Sequence, residues 1–336
     1  MNNLTVAKLR SWSDQIQVSD LILAELDCQM GDTLRIIMND GKLNNRLKLK
    51  GGTAVNKLYQ TELARLSVDM DFNHVGTRQE VLSYRDELDR KIVETLNSKG
   101  KGLSVKLRKR TYDQTTIRVY YTSIIDDSQR WIKLEISHIE RVPIMKPVVR
   151  VLSLMDNTAE INTYAIEELL ATKIRATYDR FKGRDFYDLW AAMKTFDINK
   201  VALRKMFIYY FLKDKKIFDP GDFFEHITEM MDTKGISNDL EGFLKPSITF
   251  DLHEAAHKVM NELSFLKQLD QFDKDFLLLG RLVLGKGRLS NQDFTRVHKV
   301  EFPLASLFAN GPSITHEAET LTVEDLKPFG APRTSK

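Results

Sequence analysis

Residues 65–72 read RLSVDMDF: two aspartates, Asp69 and Asp71, stand one methionine apart in a run that otherwise alternates like a strand. Residues two apart in a strand point the same way, so Ser67, Asp69 and Asp71 share one face and Val68, Met70 and Phe72 the other. The apolar set makes a good core face. On the opposite face two like charges stand side by side and each resists burial, so the pair wants a proton or a cation between them. A divalent metal shared by both carboxylates is one reading. An edge strand with a wet face is the other, and on D-x-D alone it is the commoner explanation.

The flanking segments give this strand a setting. RLKLK (46–50) alternates like a strand, GGT breaks it, and AVNKLYQTEL resumes a helical pattern. KGGT (50–53) therefore falls at a strand-to-helix turn, where adjacent glycines let backbone amides approach an anion closely. A Gly-Gly turn is more often only a turn; its place one element before the aspartates is what singles it out. Residues 77–99 read as an amphipathic helix opened by Thr77 as a cap. LSVKLRKR, TTIRVYYTSI and RWIKLEIS then carry the branched and aromatic residues of strands. RWIKLEIS places Glu135 on one face with Lys133 and Ser137, opposite Ile132, Leu134 and Ile136. Glu135 is either a third site carboxylate or a cross-strand partner for a basic side chain.

From about Tyr164 onward the apolar spacing becomes helical, through AIEELLATKIRATYDRF, RDFYDLWAAMKTF, VALRKMFIYYFLK and LHEAAHKVMNELSFLKQL. The chain is thus expected to be α+β, with a strand-and-helix domain over 1–155, a helical domain over 156–310 and a polar tail over 311–336. Its 336 residues carry 50 basic and 47 acidic side chains, a net charge of +3 that by itself selects no partner. A single cysteine, Cys28, excludes a disulfide framework. No run is apolar enough to span a bilayer, and MNNLTVAKLRSWSDQ lacks the apolar core of a signal peptide, so a cytoplasmic location away from membranes is the expectation.

Two further patterns carry chemistry. Lys106, Arg108, Lys109 and Arg110 bunch in VKLRKR with Arg118, Tyr120 and Tyr121 nearby, a mixture of charge and stacking surface that suits RNA; a wet β-ribbon face looks the same. HEAAH (253–257) fits the zinc-protease helix H-E-x-x-H, with His253 and His257 as ligands and Glu254 as base. No third ligand follows it, and a solvated helix face is the plainer account.

Taken in order, KGGTAV, RLSVDMDF, KLEIS, EELLATKIRA and RDFYDL resemble the AbiEii/AbiGii type IV toxin nucleotidyltransferases of the DNA polymerase β-like superfamily. The resemblance spans roughly residues 45 to 195, with Val55 where the family usually has Leu and Gly52-Thr53 where the superfamily has Gly-Ser. It implies a nucleotidyltransferase-type mixed sheet flanked by helices, and a pyrophosphate-releasing transfer of a nucleoside monophosphate from an NTP. It also implies Mg²⁺ (or Mn²⁺) held by Asp69, Asp71 and Glu135. Lys50, Gly51, Gly52, Thr53, Arg65 and Ser67 would meet the nucleotide. Lys173, on the stripe of Ile166, Leu169 and Leu170, would meet the triphosphate, and Asp185 would join the site. Without the resemblance, Lys173 reads as a lysine at the edge of a packed helix, and Arg184 with Asp188 as an ordinary i,i+4 pair. The implied partners are an RNA acceptor, a tRNA end, and an antitoxin encoded nearby that need not bind the toxin. A small-molecule acceptor of aminoglycoside type and a non-catalytic nucleotide- or RNA-binding module are the alternatives.

Overall fold

The computed structural model describes residues 4–284, apart from 61, 156, 234, 237 and 238, together with the paired dipeptides 302–303 and 320–321. The tail expected over 311–336 lies, but for 320–321, outside the described residues. The chain divides into two compact units. The first comprises residues 1–143, 147–165 and 240–250, and the second 144–146, 166–239 and 251–336.

The first unit is a seven-stranded mixed sheet with helices. Asp20 opens α2 (Leu21–Met38), accepting from the amides of Ile22 and Leu23, and Asp40 does the same for α3 (Gly41–Arg46). α1 (Val6–Ile16) precedes them. β1 (Leu47–Lys50) runs straight into α4 (Gly51–Ala54), which widens into one π-helical stretch over Val55–Tyr59. The helix expected from AVNKLYQTEL therefore stops at Tyr59. β2 (Asp69–His74) follows, then α5 (Arg78–Lys99), closed at its start by the reciprocal Thr77 and Glu80 capping box. β3 (Ser104–Arg110), β4 (Gln114–Thr122) and β5 (Gln129–Ser137) form an antiparallel meander, and β6 (Val148–Leu154) and β7 (Asn157–Thr163) a hairpin not expected from the sequence.

The strand order is β3-β4-β5-β2-β1-β7-β6, with β2 parallel to β5 and antiparallel to β1. β2 is thus central, not the edge strand that the wet-face reading requires. Its Met70 and Phe72 are fully buried with Ile117, Val119, Ile132, Leu134 and Ile136 on the same sheet face. Val68 and Ser67 fall outside the strand, which begins only at Asp69. The lead-in is pinned instead by the Leu66 amide, which donates to the Phe243 carbonyl at 2.9 Å, so the 240–250 segment completes this unit. Within it, the buried Glu25 of α2 accepts from Ser123 Oγ at 2.6 Å and the Ile124 amide at 2.8 Å, tying the helix to the β4–β5 turn.

The second unit is helical: α6 (Ile166–Arg180), α7 (Gly183–Thr195), α8 (Lys200–Lys213), α9 (Pro220–Thr233), α10 (Leu252–Glu262) and α11 (Gln271–Val283). Glu168 holds residues 144–146 here, accepting from the amides of Ile144 and Met145 at 2.7 and 3.0 Å and from Tyr210 at 2.6 Å. Phe207, Phe211, Phe218 and Phe223 pack edge to face at its core. No described helix is long and apolar enough to cross a membrane.

A buried polar chain lies under the sheet of the first unit. Thr115 Oγ1 donates to Asp89 at 3.0 Å and so accepts from His138 Nε2 at 3.0 Å. His138 Nδ1 is then the acceptor for His74 Nδ1 at 3.3 Å, an assignment made from the network. This leaves His74 Nε2 buried, unprotonated and without a partner among the described residues. Burial, with Arg46 and Arg85, pushes His74 down to about 4; burial, with Arg85, His74 and Arg110, pushes His138 down to about 3. Imidazoles with folded values below their unfolded ones contribute stability that is complete above about pH 6.5 and is lost as pH falls. Thermal unfolding midpoints should therefore drop between pH 7 and pH 5, and drop less in a His74→Gln variant. An equal drop in both proteins would show that the histidine pair is not responsible.

Candidate active site

Backbone register brings the site carboxylates together. β2 pairs with β5 so that Asp69 lies opposite Lys133 and Asp71 opposite Glu135, and with β1 so that Asp71 lies opposite Lys50. Partners directly opposite project from the same sheet face, so Asp69, Asp71, Glu135, Lys50 and Lys133 share one face. The cations are already engaged at their tips: Lys50 Nζ meets Glu140 Oε2 at 2.8 Å and Lys133 Nζ meets Glu135 Oε2 at 2.7 Å. Burial, then the neighbouring Asp69, hold the Asp71 carboxyl up at about 6, with Glu135 adding to the effect and Lys50 opposing it. Asp71 is therefore a carboxylate short of positive charge.

The KGGT turn closes over it. Gly51 adopts φ +73°, and a Cβ built on it would stand 2.7 Å from Asp71 Oδ2. Both the left-handed backbone and the close approach demand glycine here. Gly52 continues into the helix, where its carbonyl accepts from Asn56 Nδ2 at 2.9 Å. The Thr53 hydroxyl donates to the Asp69 carbonyl, fixing the turn to the aspartate strand. Asn56 then reaches forward, its Oδ1 accepting from the Arg65 amide at 2.9 Å. Arg65 itself is buried, with its guanidinium on the Leu66 carbonyl at 2.8 Å, and is not the surface side chain an ordinary ion pair needs. Ser67 Oγ is buried with no hydrogen-bond partner among the described residues.

In the helical unit Lys173 is buried, not a solvated lysine at a helix edge. Its ammonium lies 3.0 Å from Asp185 and 2.9 Å from Asp188, and Arg180 adds a 3.0 Å contact to Asp185. Asp185 is held below the usual carboxylate range: Lys173 and Arg180 lower it and outweigh its burial, which acts the other way. Arg184 binds Asp239 through its amide at 2.9 Å and its Nε at 2.7 Å, and Asp188 meets Lys173. HEAAH is a solvated face. His253, Glu254 and His257 are exposed, and Glu254 pairs with Lys258 at 2.5 Å.

Among the described residues no three His, Cys, Asp or Glu side chains converge closely enough to enclose a metal ion by themselves. Two adjacent carboxylates completed by substrate phosphates and water are nonetheless how Mg²⁺ is commonly held. Asp69 and Asp71, with the charge deficit at Asp71, fit such an ion. Glu135 stands in register beside them but engages Lys133. Sequence reasoning missed Asn56 and Glu140, whose partners Arg65 and Lys50 are brought to them only by the folded chain; it placed Lys133 on the face of Glu135, and the two pair along one strand.

The family model for the nucleotidyl transferase AbiEii toxin of type IV toxin–antitoxin systems matches residues 33–277. The chain belongs to this family. It is accordingly a nucleotidyltransferase, and membership implies an NTP substrate, a divalent metal and a cognate antitoxin. Among solved structures it is similar to MenT4, a nucleotidyltransferase toxin from Mycobacterium tuberculosis H37Rv. That match has 18% identity and a TM-score of 0.64 and covers 91% of this chain and 99% of that one; the likeness is one of fold. A putative nucleotidyltransferase from H. pylori matches at 20% identity and a TM-score of 0.47, over 74% of this chain and 95% of that one. No curated protein matches.

Two outcomes follow from this geometry. Gly51→Ala should lose on the order of 1–2 kcal/mol of stability from the left-handed backbone and displace the Asp71 carboxylate, lowering transfer at least tenfold. Unchanged transfer would remove the turn from the site. Asp71→Asn should abolish transfer yet raise the unfolding midpoint at pH 7.5 in EDTA. A folded value raised to about 6 means a carboxyl whose contribution is favourable below its unfolded value and is lost as pH rises through 6. The stability advantage of the variant should thus shrink at pH 5; an advantage that persists there would place its origin elsewhere.

Proposed function

We propose that this AbiEii-family protein moves a nucleoside monophosphate from an NTP to the 3′ hydroxyl of an RNA, such as a tRNA end, with Mg²⁺ at Asp69 and Asp71. The observation that carries the reading is the pair of same-face aspartates on the central strand, with the KGGT turn packed against Asp71. In the transfer, the acceptor oxygen forms a bond to the α-phosphorus while the bond to the bridging oxygen breaks and pyrophosphate leaves. The metal would supply charge stabilisation for the attacking and leaving oxygens. Asp69 and Asp71 hold that charge in place. Glu135, freed from Lys133, takes the proton of the attacking hydroxyl. Gly51, Gly52 and Thr53 present backbone to the β- and γ-phosphates, with Lys50 beside them, and the unpartnered Ser67 hydroxyl is available to the nucleotide.

The same reading assigns Lys173 to the triphosphate, with Asp185 holding it. What supports this is that a lysine and two aspartates are buried as a set, which packing alone does not call for and apolar side chains would often replace without loss.

The test uses purified protein with Mg²⁺ and each radiolabelled NTP in turn, incubated with total cellular RNA and resolved on a gel. Parallel reactions carry Asp69→Asn, Asp71→Asn and Lys173→Ala. Label should enter a tRNA-sized band with the wild type and fall by three orders of magnitude or more with either aspartate variant. Labelling by Asp69→Asn at the wild-type level would overturn the metal reading. Label that enters no RNA under any NTP would move the acceptor to a small molecule.

A further inference from the structure

The sheet face that carries the aspartates does not stop at β5. Register continues it to the sheet edge: Lys133 lies opposite Arg118 and Arg118 opposite Lys106, so one row reads Lys106, Arg118, Lys133, Asp69 across four strands. The next row reads Lys109, Thr116, Glu135, Asp71, Lys50, and on the other side Ser104, Tyr120 and Trp131 form a third. Alternation puts Val105, Ile117, Val119, Ile132 and Leu134 on the opposite, buried face.

The two faces of β3 treat their cations differently. Arg110, on the helix side, is neutralised by Asp86 and Asp89 of α5. Lys106, Lys109 and Arg118, on the aspartate side, have no carboxylate within ion-pair reach among the described residues. Trp131 is 43% exposed, although a tryptophan on a strand is ordinarily covered. The Arg118 guanidinium lies over one face of its ring at 4.0 Å, leaving the other face to a base, and Lys106 stands 5.6 Å over the half-buried Tyr120 ring. An exposed tryptophan and cations without carboxylate partners among the described residues, laid out in rows at the strand spacing of about 4.8 Å, match a base and phosphates. They do not match an apolar or a cationic ligand.

We infer that this open sheet face is the acceptor track, on which a single-stranded nucleic-acid end lies with one base stacked on Trp131 and its phosphates met by Lys106, Arg118 and Lys109. Trp131 is one strand and one residue pair removed from Asp69, a diagonal separation of about 7–8 Å, so a nucleotide stacked there precedes the one whose 3′ hydroxyl reacts. A duplex is excluded from that position, because stacking on Trp131 needs an unpaired base. The inference rests on the reading of Asp69 and Asp71 as the reacting centre, and it assigns binding to side chains outside that centre.

Binding is therefore measured apart from reaction, by fluorescence anisotropy of a fluorescein-labelled 12-nucleotide single-stranded RNA, without NTP, at several salt concentrations. The wild type, Trp131→Ala, Trp131→Phe and the double variant Lys106→Ala/Arg118→Ala are compared, with far-ultraviolet circular dichroism confirming that each folds. Trp131→Ala should weaken binding about tenfold or more, as removal of one stacking platform does, and Trp131→Phe should recover most of it. The double variant should reduce the salt slope by about 1.4, or 0.7 for each phosphate no longer neutralised. Equal affinity in wild type and Trp131→Ala, or an unchanged salt slope in the double variant, would overturn the acceptor track. Wild-type protein that labels RNA alongside variants that bind RNA normally would sink the track and leave the proposed reaction standing. Binding that is abolished in the variants when the wild type labels no RNA would keep the track and sink the reaction. Failure of the wild type to bind RNA at low salt would also overturn the inference and favour a small-molecule acceptor.

Discussion

Asp71 is held between Lys50 on one neighbouring strand and Glu135 on the other by backbone hydrogen bonds that take no account of side-chain charge. The rest of the site answers to that constraint. Three carboxylates on adjoining positions of one face repel, and the sheet holds them there because Met70, Phe72, Ile132 and Leu134 are buried on the reverse side. A one-residue slip in register would turn those apolar side chains outward and the aspartates inward. The hydrophobic effect thus supplies the rigidity against which the electrostatic strain is stored, and the site remains open to a cation that relieves it. Gly51 completes the arrangement, since any side chain there would occupy the space where Asp71 stands.

Charge is distributed differently in the two units. In the helical unit Lys173 and Arg180 face Asp185 and Asp188, and Arg204 and Lys205 face Asp270 and Asp273. Two basic and two acidic side chains meet in each set. In the sheet unit the aspartate face is short of positive charge at Asp71, while the outer strands carry cations without counter-charges. The two imbalances lie on the same face and have opposite signs, as the proposed binding of a metal and of a polyanion requires.

Much of this was legible in the sequence, and the limits have physical reasons. The D-x-D alternation disclosed the face of β2, and Thr77 with Glu80 disclosed the start of α5, because both signals are local. Family resemblance, not periodicity, raised Asp69 and Asp71 above a wet strand face, and the structure removes the edge-strand reading by placing β2 at the centre of the sheet. The β6–β7 hairpin escaped although NTAEINT alternates, with Ala159 and Ile161 buried between Thr158, Glu160 and Asn162; VVRVLSL before it carries apolar side chains at both phases and so masks the period. Asn56 and Glu140 escaped because their partners, the Arg65 amide and the Lys50 ammonium, are 9 and 90 positions away and meet them only in the folded chain. Asp239, 55 positions from Arg184, is likewise a partner that no local pattern announces.

The return of residues 240–250 to the sheet unit bears on the order in which the protein is made. The Leu66 amide, three residues before Asp69, finds its backbone partner only at Phe243. A ribosome must therefore add nearly 180 further residues after Leu66 before the approach to the aspartate strand can be pinned. Pairings so distant in sequence form late and slow the completion of a fold. The aspartate strand itself pairs within residues 47–137, so what waits for Phe243 is the lead-in to that strand, and completion of the sheet unit is tied to synthesis of the segment that returns to it.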